Sequence, residues 1–206
     1  MSLYFRYIMF FSGLTLFGLG IAIAIQVKHL GLHPWDVLSV ALYDHFGVSI
    51  GFWGVVVGLL LIGVSSITAR KYISIGTFLN ALFIGPIIDF FLWLDILPSA
   101  SGTWTDYLVI LCGIILTGIG GGMYVAAGIG AGPRDGFMLS ISEKTGMSIS
   151  NARILVESAV LLIGLLLGGP VFVMSFIYTL IQSPVFQKSL LFFRKVSPPQ
   201  NAKKAA

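Results

Sequence analysis

Six apolar stretches punctuate this chain, at about 5–26, 51–69, 72–97, 106–128, 151–168 and 170–193. Each is close to the ~20 mostly apolar residues that cross a bilayer core as a helix. Two shorter segments, 33–46 and 133–145, lie after the first and the fourth stretch. Each opens on a proline, Pro34 or Pro133, which suits a first helical turn because its missing N–H would be unpaired there anyway. Each ends near a glycine, Gly47 or Gly146, a residue that readily takes the conformation that stops a helix. At about a dozen residues apiece, neither can span. The predicted order is therefore span, short helix, span, span, stated twice.

The residues repeat along with the pattern. Gly31-Leu-His-Pro-Trp-Asp36 recurs ninety-nine positions later as Gly130-Ala-Gly-Pro-Arg-Asp135, and Gly47-Val-Ser-Ile50 recurs in the same register as Gly146-Met-Ser-Ile149. One position out of register, Gly13, Gly18 and Gly20 recur as Gly113, Gly118 and Gly120. Each half also ends on a small residue before proline, Gly85-Pro86 and Ser183-Pro184. A half that crosses three times leaves its copy upside down, the arrangement of many transporters. The expected fold is all-α: six transmembrane helices in two inverted-topology repeats, 1–98 and 106–195, each with a short re-entrant or interfacial helix. Residues 196–206 read as a disordered cytoplasmic tail.

Composition agrees with a membrane protein. The 206 residues are 57% hydrophobic and 10% charged, against about 25% charged in a soluble domain. Mean hydropathy is +0.98. The formal charge of +4 follows topology, not nucleic acid, because the cations cluster near membrane ends. With both termini cytoplasmic, eleven of the twelve Lys and Arg residues fall inside, and Lys28 alone falls outside. The stretch 4–26 is too long for a signal-peptide core of ~7–15 residues, and its match in the second half argues for its retention. The single Cys112 can form no intramolecular disulfide. Small residues inside the spans, such as Gly54 and Gly58, suit close helix packing within the bundle; a homodimer contact is the other reading.

Gly128-Ile-Gly-Ala-Gly-Pro-Arg-Asp-Gly136 carries the strongest candidate chemistry. A glycine-rich turn running into a helix start offers unpaired N–H groups to an anion, and Arg134 adds a two-pronged donor. Asp135 could cap the helix or hold Arg134. The alternative is a tight turn that merely starts a helix. The copy in the first half keeps the proline and aspartate, Pro34 and Asp36, and replaces the arginine by Trp35. Gly130, Gly132, Pro133 and Asn80 complete the candidate ligand-binding set. Glu157 and Asp89 are candidates for ion or proton coupling, since ionisable groups within spans are costly. Glu157 stands four residues after Arg153, which equally allows a structural ion pair. Asp89, past the Gly85-Pro86 break, could instead lie solvated near the outer surface. His29, His33 and His45 have no recognised metal spacing and read as exposed loop histidines. No catalytic, nucleotide-binding or cofactor motif appears. The expectation is a non-enzyme with no cofactor.

Several motifs together resemble the YitT/YczE group of bacterial integral membrane proteins. They are Gly31…Pro34-Trp35-Asp36, Gly47…Ser49…Gly51, Gly76-Thr77…Asn80…Gly85…Asp89 and Gly128…Gly132-Pro133-Arg134-Asp135-Gly136. The resemblance covers nearly the whole chain and is closer to the short, YczE-like branch. It implies a multi-pass protein of the bacterial plasma membrane and supplies no substrate. The residues themselves favour a secondary transporter or channel for a small, possibly anionic solute. Two other readings stay open: a non-transporting membrane partner of a biosynthetic or regulatory complex, and the substrate-binding subunit of a multi-component importer. The expected partners are the lipid bilayer and a small molecule or ion, with no nucleic acid.

Overall fold

The structure, a computed structural model, describes residues 2–68, 73–147 and 149–196. Among these, the regular elements are helices and no strand occurs. In chain order they are α1 (Leu3–Gln26), α2 (Pro34–Phe46), α3 (Ile50–Thr68), α4 (Ile75–Trp93), α5 (Thr105–Ala126), α6 (Pro133–Thr145), α7 (Ile149–Leu166) and α8 (Val173–Val196), with a 3₁₀ turn at Lys28–Leu30 between α1 and α2. Pro34 and Pro133 occupy the first turns of the two short helices. Gly47 and Gly146 follow their ends at φ 72° and 70°, a backbone that L side chains rarely adopt.

Among the described residues, four helices, α1, α3, α4 and α5, are long and apolar enough to cross a membrane. The other two sequence-predicted spans, α7 and α8, are helical but more polar: α7 carries Arg153 and Glu157, and α8 carries Gln182, Lys188, Arg194 and Lys195. The expected break at Gly85-Pro86 is absent. Helix α4 runs through Pro86, as α8 runs through Pro184. Val196 is still helical, not part of a tail. The rest of the predicted tail, the cations Arg70, Lys71, Lys203 and Lys204, and Ser148 of the repeat lie outside the described residues.

Two apolar clusters organise the bundle. One joins α1, α4, α5 and α8, with Val37 and Val40 of α2, around Phe10, Leu14, Ile84, Ile110 and Tyr178. The other joins α2, α3, α6 and α7 around Trp35, Val57, Met138, Val156 and Val160. Each cluster draws helices from both halves of the chain.

Glycine sets the closest approach within the first cluster. A Cβ on Gly13 would lie 2.6 Å from the backbone nitrogen of Tyr124 and 3.0 Å from the carbonyl oxygen of Gly120; one on Gly20 would lie 2.7 Å from the carbonyl oxygen of Gly113. The facing numbers fall along α5 as they rise along α1, so the two helices are antiparallel. The contact is also reciprocal. Gly13 meets the repeat copy of Gly20, and Gly20 meets the repeat copy of Gly13. Backbones this close gain dispersion contacts that a bilayer cannot supply.

The loops before the short helices cross over in the same reciprocal way. Gly31, at φ 104°, packs against Phe172 and Ser175, and Leu32 N–H donates to Ser175 Oγ at 3.0 Å. Gly130 packs against Gly76 and Thr77, and the Thr77 hydroxyl donates to the Ala131 carbonyl at 2.9 Å. Each loop thus rests on the start of the last helix of the other half, which places the first turns of α2 and α6 at the centre.

Candidate functional site

The first turns of α2 and α6 face one central cavity of about 50 Å³. At roughly 10–15 Å³ per water this is space for a few water molecules, or for one small ligand of similar heavy-atom count. The cavity lies where the two apolar clusters meet. Helix α2 and its preceding residue contribute His33, Trp35 and Asp36; α6 and its cap contribute Gly132, Arg134, Asp135 and Met138. The surrounding helices add Phe17 and Ile21 from α1, Asn80 and Ile84 from α4, and Thr117 and Tyr124 from α5. Arg153 from α7 and Tyr178, Gln182 and Phe186 from α8 close it.

Charge pairing runs across the halves. Arg134 Nη1 lies 3.4 Å from Asp36 Oδ1, and its guanidinium sits over the Trp35 ring, 5.3 Å from the centroid. Trp35 and Arg134 are copies of each other in the repeat, so copies face each other here. Two arginines at this spot would repel; one arginine and one indole attract. The sequence departure between the halves therefore has a physical reason internal to the protein. Arg134 is held by Asp36, not by its neighbour Asp135.

Asp135 belongs to a second network. It accepts a 2.8 Å hydrogen bond from the Tyr124 hydroxyl and lies 3.5 Å from Arg153 Nη2. Arg153 Nε in turn donates to Glu157 Oε1 at 3.0 Å. Glu157 is 3% exposed and also lies 3.5 Å from His33 Nε2. The i, i+4 pair that the sequence allows is present, with Glu157 buried in the bundle.

His33 corrects the reading of three exposed loop histidines. It is 6% exposed, packs edge-on against Tyr178, and lines the cavity. His29 and His45 are the more open pair; His29 lies 3.2 Å from the buried Asp106.

Of the sequence-predicted ligand-binding residues, Trp35, Asp36, Asn80, Gly132, Arg134 and Asp135 come together around the cavity. Pro34, Gly130 and Pro133 do not line it. Pro34 and Pro133 start the helices, and Gly130 lets the loop approach the start of α4. A side chain at Gly132 would crowd the amide oxygen of Asn80 and the Tyr124 hydroxyl, each 2.9 Å from the Cβ position. Asp89 lies away from the cavity and holds the start of α3, accepting from Ser49 Oγ at 2.5 Å and Gly51 N–H at 2.9 Å. Its carboxylate neutralises the positive end of that helix, so it has a structural partner where a coupling role was expected. Arg153, Tyr124, Thr117, Tyr178 and Gln182 were not anticipated as wall residues. No group of three or more metal-ligating side chains gathers among the described residues.

Three buried wall atoms make no hydrogen bond: the donors Trp35 Nε1 and Asn80 Nδ2, and His33 Nε2, whose role as donor or acceptor follows its tautomer. Trp35 and Asn80 are 3% and 6% exposed. A buried unpaired N–H is costly, roughly 1–3 kcal/mol, unless water or a ligand satisfies it.

Known proteins place the chain in a family. The model of the family of unknown function DUF6198 matches residues 4–187. The Bacillus subtilis (strain 168) "Uncharacterized membrane protein YczE" is 39% identical over 170 residues, covering 82% of this chain and 78% of that protein. An "Uncharacterized protein" of Haemophilus influenzae (strain ATCC 51907 / DSM 11121 / KW20 / Rd) is 31% identical over 77% of this chain and 71% of its own length. The B. subtilis "Uncharacterized protein YyaS" is 27% identical over 81% and 83%. No solved structure matches the chain. With four helices able to cross a bilayer and these relatives, the chain is a membrane protein belonging to the YczE-like family DUF6198.

Proposed function

We propose that this protein is a secondary transporter or channel for a small solute, and not an enzyme. In this reading it is built from two inverted repeats of three spans and one half-helix, with both termini cytoplasmic. The observation that carries it is the cavity at which the first turns of α2 and α6, one from each half, meet. Inverted-repeat transporters bind substrate at such a repeat interface, near half-helix N-termini, and rock one half against the other around it. The antiparallel, reciprocal glycine crossing of α1 on α5 supports inversion, because helices that occupy equivalent places in the two halves point opposite ways. Loose ionic contacts of 3.4 and 3.5 Å join groups from different helices, so they can break and re-form as the halves move.

The site would hold its solute through Arg134, Arg153 and the free donors of Trp35 and Asn80, with Asp36 and Asp135 as exchangeable partners. The test is counterflow in proteoliposomes with a panel of labelled carboxylates, amines and amino acids. The expected result is flux of at least one class, reduced at least tenfold by Arg134→Ala in protein that still folds. Flux at the level of empty liposomes for the whole panel, together with a stoichiometric partner on purification, would favour a non-transporting or importer subunit.

A further inference from the structure

We propose that the cavity is built for a small zwitterion, a molecule with one carboxylate or similar anionic group and one ammonium. This deepens the transporter reading and rests on it for the site, but it makes a separate claim about charge.

The charges at the cavity wall and just behind it are paired with one another. Arg134 faces Asp36 at 3.4 Å; Arg153 faces Asp135 at 3.5 Å and Glu157 at 3.0 Å; His33 faces Glu157 at 3.5 Å. In ionised form these are three carboxylates against two guanidiniums. The cluster is therefore net negative by one with His33 neutral, and neutral with His33 protonated. In either state a bare monoanion adds a negative charge with no counter-charge, inside a water-poor bundle where such a charge is expensive. Proximity to two arginines does not make this an anion site, because both are already matched.

A bare cation suits the charge of the cluster but meets a different difficulty. Asn80 Nδ2 and Trp35 Nε1 are buried, partnerless donors in residues that line the cavity. An ammonium has donors only and leaves both unsatisfied. A ligand that satisfies them must bring acceptor atoms.

A zwitterion meets both conditions. Its anionic end takes the place of Asp36 at Arg134 and accepts from the Asn80 amide and Trp35 indole. Its ammonium takes over the carboxylate that Arg134 releases. The net charge of the cluster does not change on binding. The 3.4 Å Arg134–Asp36 contact lies beyond the 2.7–2.9 Å of a tight charge-assisted hydrogen bond, as suits a pair that opens for a ligand.

The experiment measures binding to the purified full chain by intrinsic tryptophan fluorescence and thermal stabilisation, with three matched series. These are the amino acids glycine, β-alanine and 4-aminobutyrate; acetate, propionate and butyrate; and methylamine, ethylamine and propylamine. At least one amino acid is expected to bind tenfold or more tightly than the acid and the amine of its length. Asp36→Asn should weaken that amino acid at least tenfold and leave the corresponding acid within threefold or improve it. Asn80→Ala should weaken the amino acid and leave the amine unchanged. Acids binding as well as or better than the amino acids, or amines doing so, would overturn the zwitterion assignment while leaving the transporter reading to its flux test. Binding by none of the nine would overturn it as well. Flux without such binding would separate the two failures.

Discussion

Removing either side of the Arg134–Asp36 pair should unfold the bundle more easily, and removing both should cost less than the two changes summed. Asp36 is the more buried partner, at 6% side-chain exposure against 22% for Arg134. Breaking a fully buried pair costs ~3–5 kcal/mol, whereas exposed pairs contribute about 0.2–1 kcal/mol. At 3.4 Å, with one partner in partial contact with solvent, this pair falls between those limits. We expect a coupling free energy of about 2 kcal/mol from the double-mutant cycle of Arg134→Ala and Asp36→Ala. Arg134→Ala should be the worse single change, because it strands a buried carboxylate. Asp36→Ala leaves the guanidinium its place over Trp35. The assay is reversible unfolding in mixed detergent micelles followed by tryptophan fluorescence. A parallel cycle of Arg134 with Asp135 should show weaker coupling, since Asp135 is held by Tyr124 and Arg153. Coupling below ~0.5 kcal/mol between Arg134 and Asp36, the usual limit of additivity, would refute the pairing.

Three further outcomes follow from particular contacts. Gly120→Ala brings a Cβ within 2.4 Å of the Phe17 backbone nitrogen and 2.6 Å of the Gly13 carbonyl oxygen, so α1 must move by about 1 Å to reach ordinary contact; overpacking of this kind costs ~1–3 kcal/mol, partly offset by up to ~1 kcal/mol of helix propensity. Gly63→Ala, where the Cβ meets nothing, should be neutral or stabilising in the same unfolding assay, and equal behaviour of the two variants would argue against the close crossing. Asp89→Ala removes the acceptor of Ser49 Oγ and Gly51 N–H and should lower stability by about 1–2 kcal/mol without changing solute binding; loss of binding with stability intact would return Asp89 to the site. Tyr124→Phe takes a hydrogen bond from Asp135 and should cost ~1.5–3 kcal/mol, read as a lowered unfolding midpoint; an unchanged midpoint would mean that water replaces the hydroxyl.

The helices were largely legible because each apolar run is bounded by residues with one local job. Proline starts the short helices and glycine ends them, and the observed bounds of α2 and α6 are Pro34–Phe46 and Pro133–Thr145. Pro86 misled, since proline in an apolar helix reads as a break when neighbouring backbone is unknown; here α4 continues, packed against Gly51 and Val55 of α3. The repeat found part of the site. Trp35, Asp36, Arg134 and Asp135 are repeat copies, so their recurrence marked the two helix starts. Residues delivered to the cavity by other helices have no such mark. Tyr178 and Thr117 look like ordinary span residues in sequence, and only packing brings their hydroxyls within 3.3 Å. His33 could have been found, because it directly precedes the helix-starting proline and so had to follow that helix inward. The same holds for Arg153, which shares a helix face with the buried Glu157. Pairing was the least legible. Sequence proximity suggested Asp135 for Arg134, while the partner is Asp36, ninety-eight residues away.

The opposite orientation of the two halves is tested most directly at repeat-equivalent surface positions. His45 and Lys144 are both exposed, near the ends of α2 and α6. Single cysteines placed there in a Cys112→Ala background can be labelled in intact cells with a membrane-impermeant maleimide. With inverted halves and cytoplasmic termini, His45→Cys labels from outside, and Lys144→Cys labels only after the membrane is opened. Labelling of both from the same side would contradict the inverted repeat, and with it the placement of one central site between two opposed half-helices.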